Sequence, residues 1–320
     1  MSTQLMKITS EAEWLEKRKN YVTSTQIPCL FGLEMDYAPT AFELFHITRG
    51  NLADAFKENK FMIFGKLVEP TICKMINVEH PSWIIEEYPF FAYDDEDKIG
   101  SSFDRFVRID GKKYLLELKS ISYGEYKKKF TEHSEDDIEA PTAYEVQMQT
   151  ELEMVKDQDF AGLLMAVFIA DTRELKYIFR THDAPMCNAI RIAVKDFNAL
   201  TSAPEPDYAK DKSIIAHVAP AADANNEMDA TENKRITELA AIIRSSKDLI
   251  TQEEKVAEAA QAELMMLIGT AKKVWTNTHK ISIADIKPNV GTQITTEMVG
   301  TFYGAKKGYK RMTISATGEA

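Results

Sequence analysis

The stretch Ser101–Ser120, SSFDRFVRIDGKKYLLELKS, constrains the fold of this chain more than any other. Two β-prone runs flank Asp110-Gly111, a dipeptide that favours the two-residue turn of a tight hairpin. Such a turn fixes the register. Ile109 opposes Lys112, Val107 opposes Tyr114, and Asp104 opposes Glu117. Directly opposed residues share a sheet face, with Cβ atoms about 4.5–5.5 Å apart. Lys119, two residues beyond Glu117, returns to the same face. Two carboxylates and an ammonium therefore meet beside Phe106 and Leu115. Opposed like charges destabilise a sheet, and desolvation sharpens the conflict. A divalent, oxygen-seeking cation removes it, and Mg²⁺ takes one or two carboxylates together with phosphate oxygens and water. The alternative is a solvated hairpin with incidental charges, although Leu115-Leu116-Glu117-Leu118 is too apolar for a fully exposed strand.

A chain of 320 residues holds one large domain or two modest ones. Hydrophobic content of 44% and charged content of 28% are ordinary for a soluble globular protein. No apolar run approaches a membrane span, and the N-terminal stretch has no signal-peptide core, so the expected location is the cytoplasm of a bacterial host cell. Cys29, Cys73 and Cys187 form no CxxC pair, which argues against a zinc ribbon or an iron–sulfur cluster. The histidines at 46, 80, 133, 182, 217 and 279 are scattered, so a zinc hydrolase is not expected. No GxxxxGK[ST] motif is present to carry an ATP motor. The net charge of −11 counts against nucleic-acid binding when taken alone. Acidic residues nevertheless cluster at Asp94–Asp97 and Glu132–Glu139, and basic ones at Lys17–Lys19, Lys127–Lys129 and Lys306–Arg311. A local positive groove is permitted.

Along the chain, residues 9–19 read as a short helix capped by Thr9 or Ser10. Tyr21–Leu33 contains Thr23, Ser24 and Thr25 before Pro28, a turn or helix start whose N–H groups can receive an anion. Helices are expected over 40–49 and 61–76, the second interrupted on its apolar face by Glu69 and then Pro70. A strand is expected at 90–93 and a polar loop over 124–141. The next helix, 142–155, carries Tyr144, Met148, Leu152 and Val155 at helical spacing, with Gln147 and Glu151 intruding on the stripe. Residues 160–169 read as a buried strand hairpinned to 175–180, followed by a helix over 184–200. An Ala/Pro/Asp-rich linker fills 201–227. A long helical segment runs from about 228 to 275 with an uneven apolar stripe, weak as a coiled-coil pattern. Short β-like runs, among them TQITTEMV, close the chain. The expected organisation is a domain over 1–200, a linker over 201–227 and an extension over 228–320.

Glu69, Asp104, Glu117-Leu118-Lys119 and Gln147 thus come from a helix, a hairpin and a following helix. Together with WLEKRK at 14–19, GKLVEP at 65–70, SFD at 102–104, ELK at 117–119 and YEVQMQ at 144–149, they resemble the PD-(D/E)XK nucleases. The resemblance is to the lambda-exonuclease-like, YqaJ viral recombinase group, and covers about residues 11–200. Ser-Phe-Asp stands where the family name has Pro-Asp. The implied fold is α/β: a central mixed sheet flanked by helices, here with a C-terminal helical and short-strand extension.

The resemblance implies Glu69, Asp104 and Glu117 as ligands of Mg²⁺, with Mn²⁺ as substitute. Lys119 orients or helps deprotonate the attacking water, and Gln147 supports the lysine or the scissile phosphate. Arg18 and Thr25, with Ser24 as a near alternative, match the positions that bind a DNA 5′-phosphate. The chemistry agrees, since phosphodiester hydrolysis requires an activated water and charge neutralisation at the phosphate. The implied activity is metal-dependent degradation of double-stranded DNA from an end, 5′ to 3′, giving 3′ single strands for an annealing protein. The implied assembly is a ring-shaped homotrimer. Plainer readings stay open here: Glu69 as a surface carboxylate, Gln147 as a hydrogen-bonding core-edge residue, Lys119 as the partner of a simple ion pair and Arg18 as a solvated triplet member. Rival functions are a structure- or site-specific endonuclease on the same core and a non-catalytic DNA-binding scaffold.

Overall fold

A computed structural model describes residues 3–33, 35, 38–52, 60–134, 137–220, 227–286 and 309–316. The chain divides into two compact units between residues 221 and 222. The first unit is mixed α/β and is built on the hairpin. Strands β6 (Arg105–Ile109) and β7 (Lys112–Ile121) pair antiparallel, with Ile109 opposite Lys112 and Val107 opposite Tyr114. Asp110 and Gly111 take positive φ, 48° and 77°, as a two-residue turn between twisted strands requires. The ladder ends at Arg105–Leu116, one pair short of the expected Asp104–Glu117 pair. Asp104 instead leaves the strand and its Oδ2 accepts a hydrogen bond from the Leu118 N–H at 2.9 Å.

The five-stranded sheet has the order β11-β10-β7-β6-β3, with β3 at Ile84–Glu87, β10 at Gly162–Ile169 and β11 at Glu174–Arg180. β10 runs parallel to β7 and antiparallel to β11, so the sheet is mixed. All of β10 is buried, as a continuously apolar central strand should be. One face of the sheet packs on α3 (Lys60–Glu79), through Ile72 and Ile76 against Val107, Leu116 and Leu164. The helix continues through Pro70, which has no N–H to give to the preceding turn.

The opposite face packs on α5 (Thr142–Met154), through Met148 and Leu152 against Leu115, Met165 and Val167. Behind α5 lies a second, four-stranded sheet of order β1-β4-β5-β2: β1 Gln4–Lys7, β2 Val22–Thr23, β4 Phe90–Asp94 and β5 Ile99–Ser102. Val146 and Met154 face that side, with Ala92, Ile99 and residues Ile190 and Val194 of α6 (Ala184–Ala199). α5 is therefore enclosed from both sides, and its ten buried residues include Gln147, Gln149, Thr150, Glu151 and Glu153. Each of these polar side chains is hydrogen-bonded, which is what allows a helix of such mixed composition to sit in a core.

Elsewhere α1 (Glu11–Arg18) is capped by Ser10, and α2 (Ala41–Thr48) by Thr40. Two expectations are corrected. The polar segment 124–141 is not a loop: it holds most of α4 (Tyr123–Lys129) and strands β8 (Thr131–Ser134) and β9 (Asp137–Glu139). Ser122 caps the helix on the Glu125 N–H, while Tyr126 and Phe130 anchor it in the core. The stretch after residue 200 contains α7 (Lys212–Val218), and the buried Asp211 before it accepts from Thr40 Oγ1 at 2.7 Å. The second unit comprises α8 (Lys234–Ile268), shorter than the expected 228–275. It also holds a three-stranded antiparallel sheet of β12 (Lys273–Trp275), β13 (His279–Ile286) and β14 (Tyr309–Ala316). The TQITTEMV run at 292–299 lies outside the described residues. No helix among the described residues is long and apolar enough to cross a membrane.

Candidate metal and phosphate site

The hairpin, α3 and α5 converge on one acidic cluster. Glu117 is on β7, and its side chain is buried between the sheet and α5. Lys119 Nζ lies 2.7 Å from Glu117 Oε1 and donates to Gln147 Oε1 at 3.1 Å. The Gln147 Nε2 donates to Glu117 Oε1 at 2.8 Å and to Glu151 Oε1 at 2.9 Å. Both amide hydrogens are thus used on carboxylates and the carbonyl faces the ammonium. The flipped amide would set its oxygen against two acceptors and its NH₂ against a cation. Gln147 is a bridge with one favourable orientation.

Charge in the cluster is in conflict. Desolvation, and then the negative charges of Glu117 and Glu69, push the Asp104 carboxyl well above the ordinary carboxylate range; the Leu118 N–H and Lys119 oppose them. Glu69, half-buried on α3, is raised first by desolvation and also by Glu117, while Arg105 draws it down. Glu151 is raised well above its ordinary value by burial and by Glu117, against the hydrogen bond from Gln147. Glu69 and Asp104, both raised beside the Glu117 carboxylate, form with it an all-oxygen donor set. Hard divalent cations such as Mg²⁺ or Mn²⁺ fit such a set, and softer ions that prefer thiolate do not.

The structure brings together the sequence-expected Asp104, Glu117, Lys119 and Gln147, with Glu69 in electrostatic reach of Asp104 and Glu117. Glu151 completes the hydrogen-bonded group and was read in the sequence only as an intrusion on an apolar stripe. Its position four residues after Gln147, on the same helix face, was the available signal.

A second group lies at the end of α1. Arg18 Nη2 donates to Thr23 Oγ1 and to Thr25 Oγ1, both at 3.3 Å, and its guanidinium sits 5.2 Å from the Trp14 ring centre. The Trp14 Nε1 donates to Ser102 Oγ at 2.8 Å, which ties this group to the strand leading into Asp104. Ser24 does not join it. Its hydroxyl is buried and accepts from Ser101 Oγ at 2.9 Å.

Among the described residues one other trio, Glu153, His182 and Cys187, is close enough to share an ion. Its atoms are otherwise engaged. Glu153 receives Lys156, Arg191 and His182, and burial pushes the Cys187 thiol up to about 12. The trio is part of an ion-pair network that joins α5 to α6.

Residues 13–157 match the family model of the YqaJ-like viral recombinase domain. Among solved structures the chain is similar to LHK-Exo, an alkaline exonuclease from Laribacter hongkongensis. The complex with dAMP gives 19% identity over 59% of this chain and 91% of that one, with a TM-score of 0.45. A second structure of the same enzyme gives 19% identity, the same coverage and a TM-score of 0.44. SSO0001 gives 14% identity over 65% of this chain and 95% of its own, with a TM-score of 0.32. No curated protein sequence matches the chain. The motifs from WLEKRK to YEVQMQ all lie within the segment that is similar to the YqaJ-like viral recombinase domain.

Proposed function

We propose that this protein is a divalent-metal-dependent exonuclease that degrades duplex DNA from a 5′ end. The observation that carries the reading is the junction of Asp104, Glu117, Lys119 and Gln147, with Glu69 of α3 in electrostatic reach. Glu69, Asp104 and Glu117 hold Mg²⁺, with Mn²⁺ as substitute. When bound, the ion supplies charge neutralisation at the scissile phosphate and a more acidic water. Lys119 stands beside the ligands without being one, since an ammonium has no lone pair to give. Its role is to orient the attacking water and to meet the growing negative charge on the phosphoryl oxygens. Gln147 holds that ammonium at a fixed place against Glu117.

Arg18 and Thr25 take the terminal 5′-phosphate. A guanidinium offers two parallel donors to phosphate oxygens, and a terminal phosphate carries more negative charge than an internal diester. This pocket supports 5′-to-3′ polarity, leaving 3′ single strands suited to an annealing protein. A homotrimer around the duplex would be consistent with continued digestion. The first unit, residues 1–221, carries this chemistry, and the second unit is an extension to it.

The deciding experiment is digestion of end-labelled linear duplex beside closed circular DNA, with Mg²⁺ and with chelator. Loss of linear DNA alone, only with Mg²⁺, is the expected result. Nicking or linearisation of the circle would instead make the enzyme an endonuclease, and binding without cleavage would leave a scaffold.

A further inference from the structure

The second unit carries a surface that the nuclease reading does not use. α8 is 35 residues long, about 50 Å of helix, and none of its residues is buried. With Ile236 taken as position a of a heptad, Ile243, Ile250 and Leu264 are also at a, while Leu239 and Leu267 are at d. Exposure along this seam is 42% at Ile236 and Leu239, 56% at Ile243, 57% at Ile250 and 77% at Leu267. Leu249 and Val256, at 59% and 58%, widen the stripe from position g. An apolar stripe this long, on a helix with no buried residue, marks an interaction surface.

Two features identify its partner and direction. The first is size. The N-terminal half of the seam is bulky and the centre-to-C-terminal part holds Ala257 and Ala260. A parallel, in-register pair would stack each alanine on itself and set Glu253, at d, against a second Glu253. An antiparallel pair sets Ile236 against Leu267, Leu239 against Leu264, Ile243 against Ala260, and Ile250 against Glu253, so no alanine stacks on its own copy and the two Glu253 carboxylates are no longer directly opposed. The second is charge. In the antiparallel register the flanking position e of one helix lies beside e of the other, which places Lys247 next to Glu254 twice over. The parallel register pairs e with g, and there the partners of Lys247 and Glu254 are Ile242 and Leu249, with no charge complement.

We propose that α8 pairs with the α8 of a second copy of this chain, antiparallel, about a two-fold axis between Thr251 and Gln252. The contact is isologous, so it joins the extensions two at a time, separately from any three-fold assembly of the nuclease units.

Cysteine pairing in the full-length chain tests both partner and direction. Residues 239 and 264 lie about 37 Å apart on one helix, far beyond disulfide reach within a chain. Under mild oxidation, Leu239→Cys alone and Leu264→Cys alone should give no more covalent dimer than the wild type. The double variant should give a disulfide-linked dimer on a non-reducing gel. By light scattering, Ile243→Asp with Ile250→Asp should lower the mass relative to wild type while helicity by circular dichroism is retained. Lys247→Glu should raise the dissociation concentration at least several-fold, and adding Glu254→Lys should restore it. Cross-linking of either single variant would overturn the proposal in favour of a parallel pair. No cross-link in the double variant with unchanged mass in the aspartate variant would overturn it in favour of cover by another part of the chain or another protein.

Discussion

The Trp14 indole donates to Ser102 Oγ at 2.8 Å, and Ser102 stands two residues before Asp104. One hydrogen bond therefore ties the helix that ends in Arg18 to the strand end that delivers a carboxylate to the acidic cluster. The guanidinium packed on the same indole gains its position from that anchor. Trp14→Phe keeps an aromatic face and removes the donor. The expected outcome is a roughly 5-fold smaller preference for 5′-phosphorylated over 5′-hydroxyl duplex, the scale of one net hydrogen bond. Initial rates on the two substrates check it, and an unchanged ratio would show that the anchor has no part in end recognition.

Asp104 and Lys119 sit in the same cluster but have separable roles. Asp104→Asn removes the charge of a proposed ligand, so Mn²⁺ affinity by calorimetry should fall by about 10–100-fold together with activity. Lys119→Met keeps the carboxylates and should bind Mn²⁺ at least as tightly, because a competing cation has gone. Its activity should still fall by roughly 10²–10³, the usual cost of losing a transition-state charge partner. Equal loss of metal binding in both variants would remove the distinction.

Gln147 is held by three partners, and Glu151 is the one that is neither the lysine nor a proposed ligand. Glu151→Gln can still accept from Gln147 Nε2, so the amide keeps its orientation and activity should stay within a few-fold of wild type. Glu151→Leu leaves a buried N–H unpaired, a cost of about 1–3 kcal/mol. The amide is then held by one bond fewer, and Lys119 is less firmly placed against it. The turnover rate should drop about 10-fold with Mn²⁺ affinity little changed. Parallel loss in the two variants would point to a role for the carboxyl charge itself.

These roles differ in how far the sequence disclosed them. The hairpin was legible because its determinant is local: Asp110 and Gly111 adopt the positive φ that the dipeptide favours, and the pairing follows by counting. Glu117 and Lys119 came with it. Asp104 came in the right place but by a different bond, since the strand stops at Arg105 and the carboxyl turns to the Leu118 amide. The second sheet was mostly missed because its strands are two to five residues long and paired across distant parts of the chain, as Gln4 is with Tyr93. That omission hid the enclosure of α5. A helix buried on two sides has no single apolar stripe, so Gln147 and Glu151 read as interruptions when each is a buried, bonded group. α4 was missed for a simpler reason: three lysines at its end outweighed a Ser122 cap and two aromatic anchors in a reading by composition.

The Glu153 network predicts an acid-sensitive core. Burial raises the Glu153 carboxyl, but hydrogen bonds from Lys156, His182 and Arg191 outweigh it and bring it from 4.5 to about 2. A depressed carboxylate contributes stability above its unfolded value, and that contribution is lost as pH falls from 4.5 towards 2. The shift corresponds to at most about 3 kcal/mol. Glu153→Gln should therefore lower the urea midpoint clearly at pH 7, and the difference from wild type should shrink between pH 4.5 and 2.5. A difference that stays constant over that range would place the loss in packing and not in charge.

The DNA end provides the sharpest test of polarity. Arg18 closes α1, and its guanidinium already reaches Thr23 and Thr25 at 3.3 Å, distances long enough that a phosphate oxygen can replace either hydroxyl as acceptor. The Thr25 hydroxyl lies beside Arg18, whereas Ser24 is turned into the core towards Ser101. Charged hydrogen bonds contribute about 1.5–3 kcal/mol each, so Arg18→Ala should reduce the preference for 5′-phosphorylated duplex by roughly one to two orders of magnitude. Arg18→Lys should recover only part of it, because an ammonium cannot make the two parallel contacts of a guanidinium. Thr25→Val should lose a smaller part, about one neutral hydrogen bond or ~5-fold. The measurement is the ratio of initial rates on 5′-phosphorylated and 5′-hydroxyl duplex for each variant, at one salt concentration, since backbone contacts weaken with salt. Equal slowing on both substrates would make Arg18 a general backbone contact. No slowing on either would leave it holding Thr23 and Thr25 in a purely structural turn, and the polarity would then have to be set elsewhere on the domain.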